Sequence, residues 1–173
     1  PLIVMLDEET GEKYARAVGH KGVGTGGERD WLVKDMDAEL KAWGHQGGTG
    51  GHIIMKSDGE AAVVALRNAV ASYHGGRVSP EAPAKGESQS NGRIEEAGKT
   101  AREFTRVWKE QIEDKAGMKL ESNMIIVLWM VRWAAMMVSR FLVGKDGRTA
   151  YERRTGRKCK APVVPFGEKV WYK

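Results

Sequence analysis

The chain has 173 residues and a mass of 19.1 kDa, enough for one core, since a domain of this length buries about 70% of the surface its unfolded chain exposes. The lone Cys159 excludes an internal disulfide and a cysteine-rich zinc site and fits a reducing compartment. The net charge of +5 is uneven: residues 139–173 carry ten Lys or Arg against three acids, leaving −2 for everything before, so this end is the expected nucleic-acid end or else a solvated surface.

The chain opens Pro1-Leu2-Ile3-Val4 with neither an initiating methionine nor a secretory leader, as expected of a piece of a longer polypeptide. Leu2–Leu6, the polar stretch Asp7–Glu12 and Lys13–Val18 predict strand, turn and strand, a hairpin. Asp7 is placed where a turn wants a carboxylate that bonds its own backbone; the competing reading makes it a catalytic acid. Gly19–Gly27 is a predicted loop without a phosphate-binding fingerprint.

Trp31, Leu32, Met36, Leu40 and Trp43 recur at three and four, which predicts an amphipathic helix over 28–43. His20, His45, His52 and His74 show no metal-ligand spacing and are expected on the surface or in loops. A strand over 53–57 ends at Asp58, and Ala62, Val63, Leu66, Val70 and Tyr73 mark a helix over 60–74 closed by Gly75-Gly76. Residues 78–92, with two prolines and two glycines and no apolar period, predict a long mobile loop.

Ser90 or Asn91 can cap a helix over 93–116, with Ile94, Ala97, Ala101, Phe104, Trp108 and Ile112 on its core face. Glu95, Lys99, Arg102, Arg106 and Lys109 fall at steps of three and four on a neighbouring face. Ser122 is the expected cap of an apolar helix over 124–143, where Arg132 and Arg140 argue for a packed helix rather than a membrane span. Its Met and Trp content suits packing on the sheet and on a partner. Thr149 caps a short helix, and 161–173 reads as extended.

Two acids carry the candidate chemistry. Asp58 stands where a strand hands over to a helix, the edge of an α/β sheet at which ligands bind, and Glu95 stands in the first turns of the next long helix. Between them lie 95 − 58 − 1 = 36 residues. Carboxylates are hard oxygen ligands for Mg²⁺, and a metal pair roughly 3.5–4 Å apart can hold both the attacking and leaving oxygens of a phosphodiester exchange. The plain alternative is that Asp58 and Gly59 cap a helix and the basic stripe is a solvated face.

Ser57-Asp58-Gly59, the 36-residue interval and Ser90-Asn91-Gly92-x-x-Glu95 resemble the integrase catalytic core of retroviruses and long-terminal-repeat retrotransposons. Thr149-Ala150-Tyr151-Glu152, Gly156-Arg157-Lys158 and Phe166-Gly167 are similar to stations after the core in copia-type elements. The resemblance covers nearly the whole chain. It implies a ribonuclease H-like α/β fold, a mixed sheet flanked by helices, here without its first strand and the metal-binding Asp on it. Residues 1–143 would form the truncated core and 144–173 a basic extension toward a further module.

It also implies DNA integration by two-metal phosphoryl transfer, with Asp58 and Glu95 as catalytic ligands of Mg²⁺ or Mn²⁺, and with Lys99, Arg102, Arg106 and Lys109 on DNA. The implied partners are DNA and further copies of the core, without a membrane. The implied setting is the nucleus, after a cytoplasmic phase, and the implied origin is a Pol polyprotein. Glu96 departs from the family, where a basic residue commonly follows the catalytic Glu. The rival expectation is a catalytically inactive DNA-binding remnant.

Overall fold

A run of five apolar residues needs partners for its backbone groups, and Leu2–Leu6 (β1) finds them in Lys13–Ala17 (β2), antiparallel, with Val4 opposite Ala15 and Leu6 opposite Lys13. The computed structural model describes residues 1–20, 22–23, 27–48, 51–81, 92–169 and 171. The chain divides into two units, Val18–Gly92 with Pro1, and Leu2–Ala17 with Arg93–Lys173. The remaining elements are α1 (Gly27–Ala42), β3 (His52–Lys56), α2 (Ala61–His74), β4 (Arg77–Glu81), α3 (Gly92–Ala116), α4 (Ile125–Phe141) and α5 (Ala150–Thr155).

In the unit containing the hairpin, Asp7 is a turn residue. Its carboxylate accepts from the Glu9 N–H at 3.2 Å and the Thr10 hydroxyl at 2.5 Å, and its carbonyl accepts from the Gly11 N–H at 2.8 Å. The strand after the turn buries Tyr14, Ala15 and Arg16 in succession. Ala15 clusters with Ala101 of α3 and with Val131 and Ala135 of α4, against Leu2, Val4 and Ala17. Small side chains at these positions let strand and helices approach closely, so the core is dense without bulk. The Lys13 N–H reaches the buried Ser139 hydroxyl on α4 at 2.9 Å, which anchors the strand to that helix.

The second cluster joins Leu120, Val127 and Met130 with Trp108, Ile112, Met124, Ile126 and Phe166. Glu113 sits beside it, 5% exposed, and accepts from the Leu120 N–H at 2.7 Å, Lys109 Nζ at 2.5 Å and Lys119 Nζ at 3.0 Å. One carboxylate therefore holds the last turns of α3 to the connection that follows. The predicted core face of α3 is right in position, though only Ala97 and Ala101 are fully buried and the larger residues are half-buried.

One expectation in this unit is corrected. The apolar helix starts at Ile125 with Met124 as its N-cap, not Ser122, and no side chain bonds the cap. Among the described residues no helix is long and apolar enough to cross a membrane. Residues 161–169 form neither helix nor strand, and Phe166 rests on Trp133, ring centroids 5.8 Å apart.

Thr149 does cap α5. Its hydroxyl accepts from the Glu152 N–H at 3.1 Å, and the Glu152 carboxylate accepts from the Thr149 N–H at 2.7 Å, a reciprocal capping box. Arg154 Nε then donates to Glu12 at 2.7 Å, and Arg153 Nη1 to the Thr10 carbonyl at 3.0 Å, tying α5 to the hairpin turn.

In the other unit, Leu32, Val33, Met36, Leu40 and Trp43 of α1 and its end are buried, as are Leu66 and Val70 of α2. The amphipathic period is confirmed, but Trp31 is 50% exposed and Tyr73 49% exposed, one position off each core stripe. His74 corrects the expectation of a surface or loop histidine: it is the last residue of α2, 4% exposed, and its Nδ1 lies 2.7 Å from Asp37 Oδ1 on α1. Lys41 Nζ takes the other Asp37 oxygen at 2.7 Å, so a buried carboxylate with two partners replaces part of an apolar contact. Gly75 closes α2 at φ 69°, and a Cβ on Gly47 would lie 2.1 Å from the His74 carbonyl, so that close approach requires glycine.

The stretch 77–81 corrects the loop expected over 78–92: it is a strand, parallel to β3, with Met55 opposite Pro80 and Lys56 opposite Glu81. Pro80 argued against a strand because it cannot donate to a ladder; in a two-stranded ladder it can stand where no donor is needed. Residues 82–91 of that predicted loop, with the proposed caps Ser90 and Asn91, lie outside the described residues, and Gly92 opens α3.

Two outcomes are expected. Arg154→Ala leaves the buried Glu12 without its guanidinium and should cost about 2 kcal/mol of unfolding free energy, read by urea titration. Lys109 first, then the Leu120 N–H and Lys119, hold the Glu113 carboxyl down to about 2 against an ordinary 4.5. A depressed carboxylate stabilises the fold above its unfolded value, and that contribution fades as pH falls from about 4.5 through about 2. Glu113→Gln should lower stability at neutral pH and flatten the acid limb over that window in pH-dependent denaturation.

Candidate metal and nucleic-acid site

Asp58 follows β3 by two residues. The connection between two parallel strands has to cross back by a helix, so the end of β3 feeds α2, and Asp58 lies in the short stretch 57–60 that leads into that helix. Its side chain is exposed. One oxygen accepts the Glu60 N–H at 3.3 Å, and its carbonyl accepts the Ser57 hydroxyl at 3.1 Å. The N-cap of α2 is Glu60, with no side-chain cap bond, so Asp58 shapes the approach to the helix without being its cap. Its second oxygen carries no hydrogen bond among the described residues.

Glu95 stands in the first turn of the 25-residue α3, exposed, and its carboxylate makes no hydrogen bond or ion pair among the described residues. An acid there is favoured by the helix dipole. Lys99, Arg102 and Arg106 stand four, seven and eleven residues on, all exposed, the spacing of one helical face. Lys99 pairs loosely with Glu103 at 3.8 Å. Lys109, the fourth predicted cation, is half-buried and locked at 2.5 Å on Glu113, so its ammonium already serves the core.

Asp58 and Glu95 belong to different units, and each is described within its own. Among the described residues no three His, Cys, Asp or Glu side chains form a metal-ligating group.

Sequence reading gave no weight to Lys13, which the hairpin puts within electrostatic reach of Arg93 and Glu96 near the start of α3. Partial burial, then the nearby Arg153, push its pKa below the ordinary lysine value, while Glu12 and Glu96 oppose the shift. Its Nζ donates to the Gly11 carbonyl at 2.9 Å. No local pattern announces such a residue, because the neighbours that define it come from 80 or more positions away.

No family profile and no curated protein matches the chain. Solved structures do. A chain of the simian T-cell lymphotropic virus intasome, determined in complex with PP2A regulatory subunit B56 gamma, superposes over 99% of this chain and 53% of its own, at TM-score 0.59 and 11% identity. The catalytic core domain of BIV integrase superposes over 90% of this chain and 85% of its own, at TM-score 0.55 and 14% identity. The chain thus spans about half the length of the chain it matches in the first structure. At such identities the likeness is one of backbone architecture: the chain has the ribonuclease H-like α/β fold of an integrase catalytic core.

Proposed function

We propose that this chain is the core of a retroelement integrase, of the copia type and derived from a Pol polyprotein, which joins element DNA to target DNA by phosphoryl transfer. The observation that carries the reading is the state of the two acids singled out by their spacing. Both are exposed at the start of a helical segment, and neither has a lysine or arginine against it among the described residues. A carboxylate serving only the surface gains little from being left so. One serving a cation must have oxygens to give.

Asp58 and Glu95 would hold Mg²⁺ or Mn²⁺, hard ions that suit an all-oxygen donor set. When bound, such ions activate an attacking hydroxyl and neutralise charge on the phosphoryl oxygens. The chain's own cations would do the positioning. Lys99, Arg102 and Arg106 line the helix face that starts at Glu95 and would take successive phosphates, fixing DNA in register without reading its sequence. Lys109 would contribute less, its donors being engaged by Glu113.

DNA and further copies of the core are the proposed partners. The exposed Ile125 and Trp129 on α4 support the second, as large apolar groups left on a surface helix. The proposed setting is the nucleus, after a cytoplasmic phase. A second reading, a DNA-binding remnant without transfer activity, rests on the exposed Lys99, Arg102 and Arg106 alone.

Asp58→Asn and Glu95→Gln should each weaken Mn²⁺ binding about tenfold or more by calorimetry; equal affinity in both variants and the wild type would remove the metal reading. Strand transfer of a short duplex in Mn²⁺ separates enzyme from remnant. Lys99→Ala should lower DNA affinity and flatten the slope of log K against log salt by about one unit, with Lys109→Ala changing that slope much less.

A further inference from the structure

A single side chain of α2 grips both strands of the parallel pair at the end where Asp58 emerges. Arg67 Nη1 donates to the Ser57 hydroxyl at 3.2 Å and to the Glu81 carbonyl at 3.0 Å. The ladder ends at the pair Lys56 and Glu81, so the Glu81 carbonyl has reached the limit of strand pairing and takes its donor from the helix instead. Ser57 is the first residue past β3.

The Ser57 hydroxyl has one proton and spends it on the Asp58 carbonyl at 3.1 Å, while its lone pair receives Arg67. The chain of bonds therefore runs from α2, through Ser57, to the backbone of Asp58. On the other side of the guanidinium, Nε and Nη2 are held by Asn68 Oδ1 at 3.3 and 3.2 Å, which fixes the plane and aims Nη1 at the strand ends. Asp58 itself adds only its bond from the Glu60 N–H at 3.3 Å, too long to orient it alone.

We infer that Arg67 is a positioning residue for the candidate metal ligand Asp58: it fixes the Ser57-Asp58 turn against the ends of both parallel strands and so sets where that carboxylate stands. The inference rests on the reading of Asp58 as a metal ligand. A planar fork is needed because two nitrogens are anchored on Asn68 while the third bridges; a lysine offers one nitrogen and cannot do both.

The test is Mn²⁺ titration of the whole chain by NMR, following paramagnetic broadening of the Ser57–Glu60 amide signals in the wild type and in the variants Arg67→Ala, Arg67→Lys, Ser57→Ala and Asp58→Asn. Losing an outer partner of a ligand typically costs about 10-fold or more in metal affinity. Arg67→Ala and Ser57→Ala should each raise the Mn²⁺ needed for half-broadening about tenfold, Arg67→Lys should not restore it, and the double variant should be no worse than the weaker single, because both cut one relay.

Unchanged broadening in Arg67→Ala, with Asp58→Asn abolishing it, would overturn the role of Arg67 and leave the metal reading standing. Unchanged broadening in Asp58→Asn would sink the metal reading and this inference with it. If Arg67→Ala lowers the salt slope of DNA binding by about one unit while its Mn²⁺ response stays that of the wild type, Arg67 is a phosphate contact and the positioning role is wrong.

Discussion

Two parallel strands cannot be joined by a tight turn, and this constraint organises the half of the molecule that carries Asp58. The pairing of His52–Lys56 with Arg77–Glu81 forces the chain between them to leave one strand end, cross back, and re-enter at the other; α2 is that crossover. The backbone just past β3 is thereby delivered to the start of a helix, where peptide N–H groups are unpaired and an acidic side chain is at home. Asp58 is there because the topology leaves nowhere else for it. Arg67 then converts a general position into a particular one, since its guanidinium satisfies the outermost carbonyl of one strand and the first hydroxyl beyond the other.

The hairpin unit solves a different problem. Its long helix α3 must present an exposed acidic and basic face and still pack tightly, and small residues allow both. Ala97, Gly98 and Ala101 occupy the buried side, so the helix sits close to its neighbours without spending large side chains there. At its far end the order of polarity reverses, and a buried carboxylate, Glu113, takes three donors and holds the chain leading to α4. A buried acid survives only when its oxygens are fully engaged, which is why Lys109 is drawn in from what otherwise reads as a continuous basic stripe.

Much of this was legible in the residues. The helices over 27–42, 61–74 and 92–116 follow from apolar periods and from stop signals such as Gly75, and the short α5 follows from its cap, Thr149, to which the structure adds the reciprocal Glu152. Asp7 read as a turn acid and is one. What failed were residues whose partners lie far off. Pro80 hid a strand whose other half is 25 positions earlier, His74 is buried because Asp37 waits for it on another helix, and the cap of α4 fell on Met124 rather than on the better capping residue, Ser122.

The sequence alone determined the kinds of element, most of their limits, and the spacing that marks Asp58 and Glu95, because helix periods, caps and glycine stops act between residues a few positions apart. Only the tertiary structure decided which cations stay available and which serve the core, as with Arg106 left exposed and Lys109 bound to Glu113 three residues later in the stripe. It also decided that Arg67 should reach both ends of a strand pair. Those outcomes depend on burial and on partners brought together by chain crossings, and no local pattern encodes them.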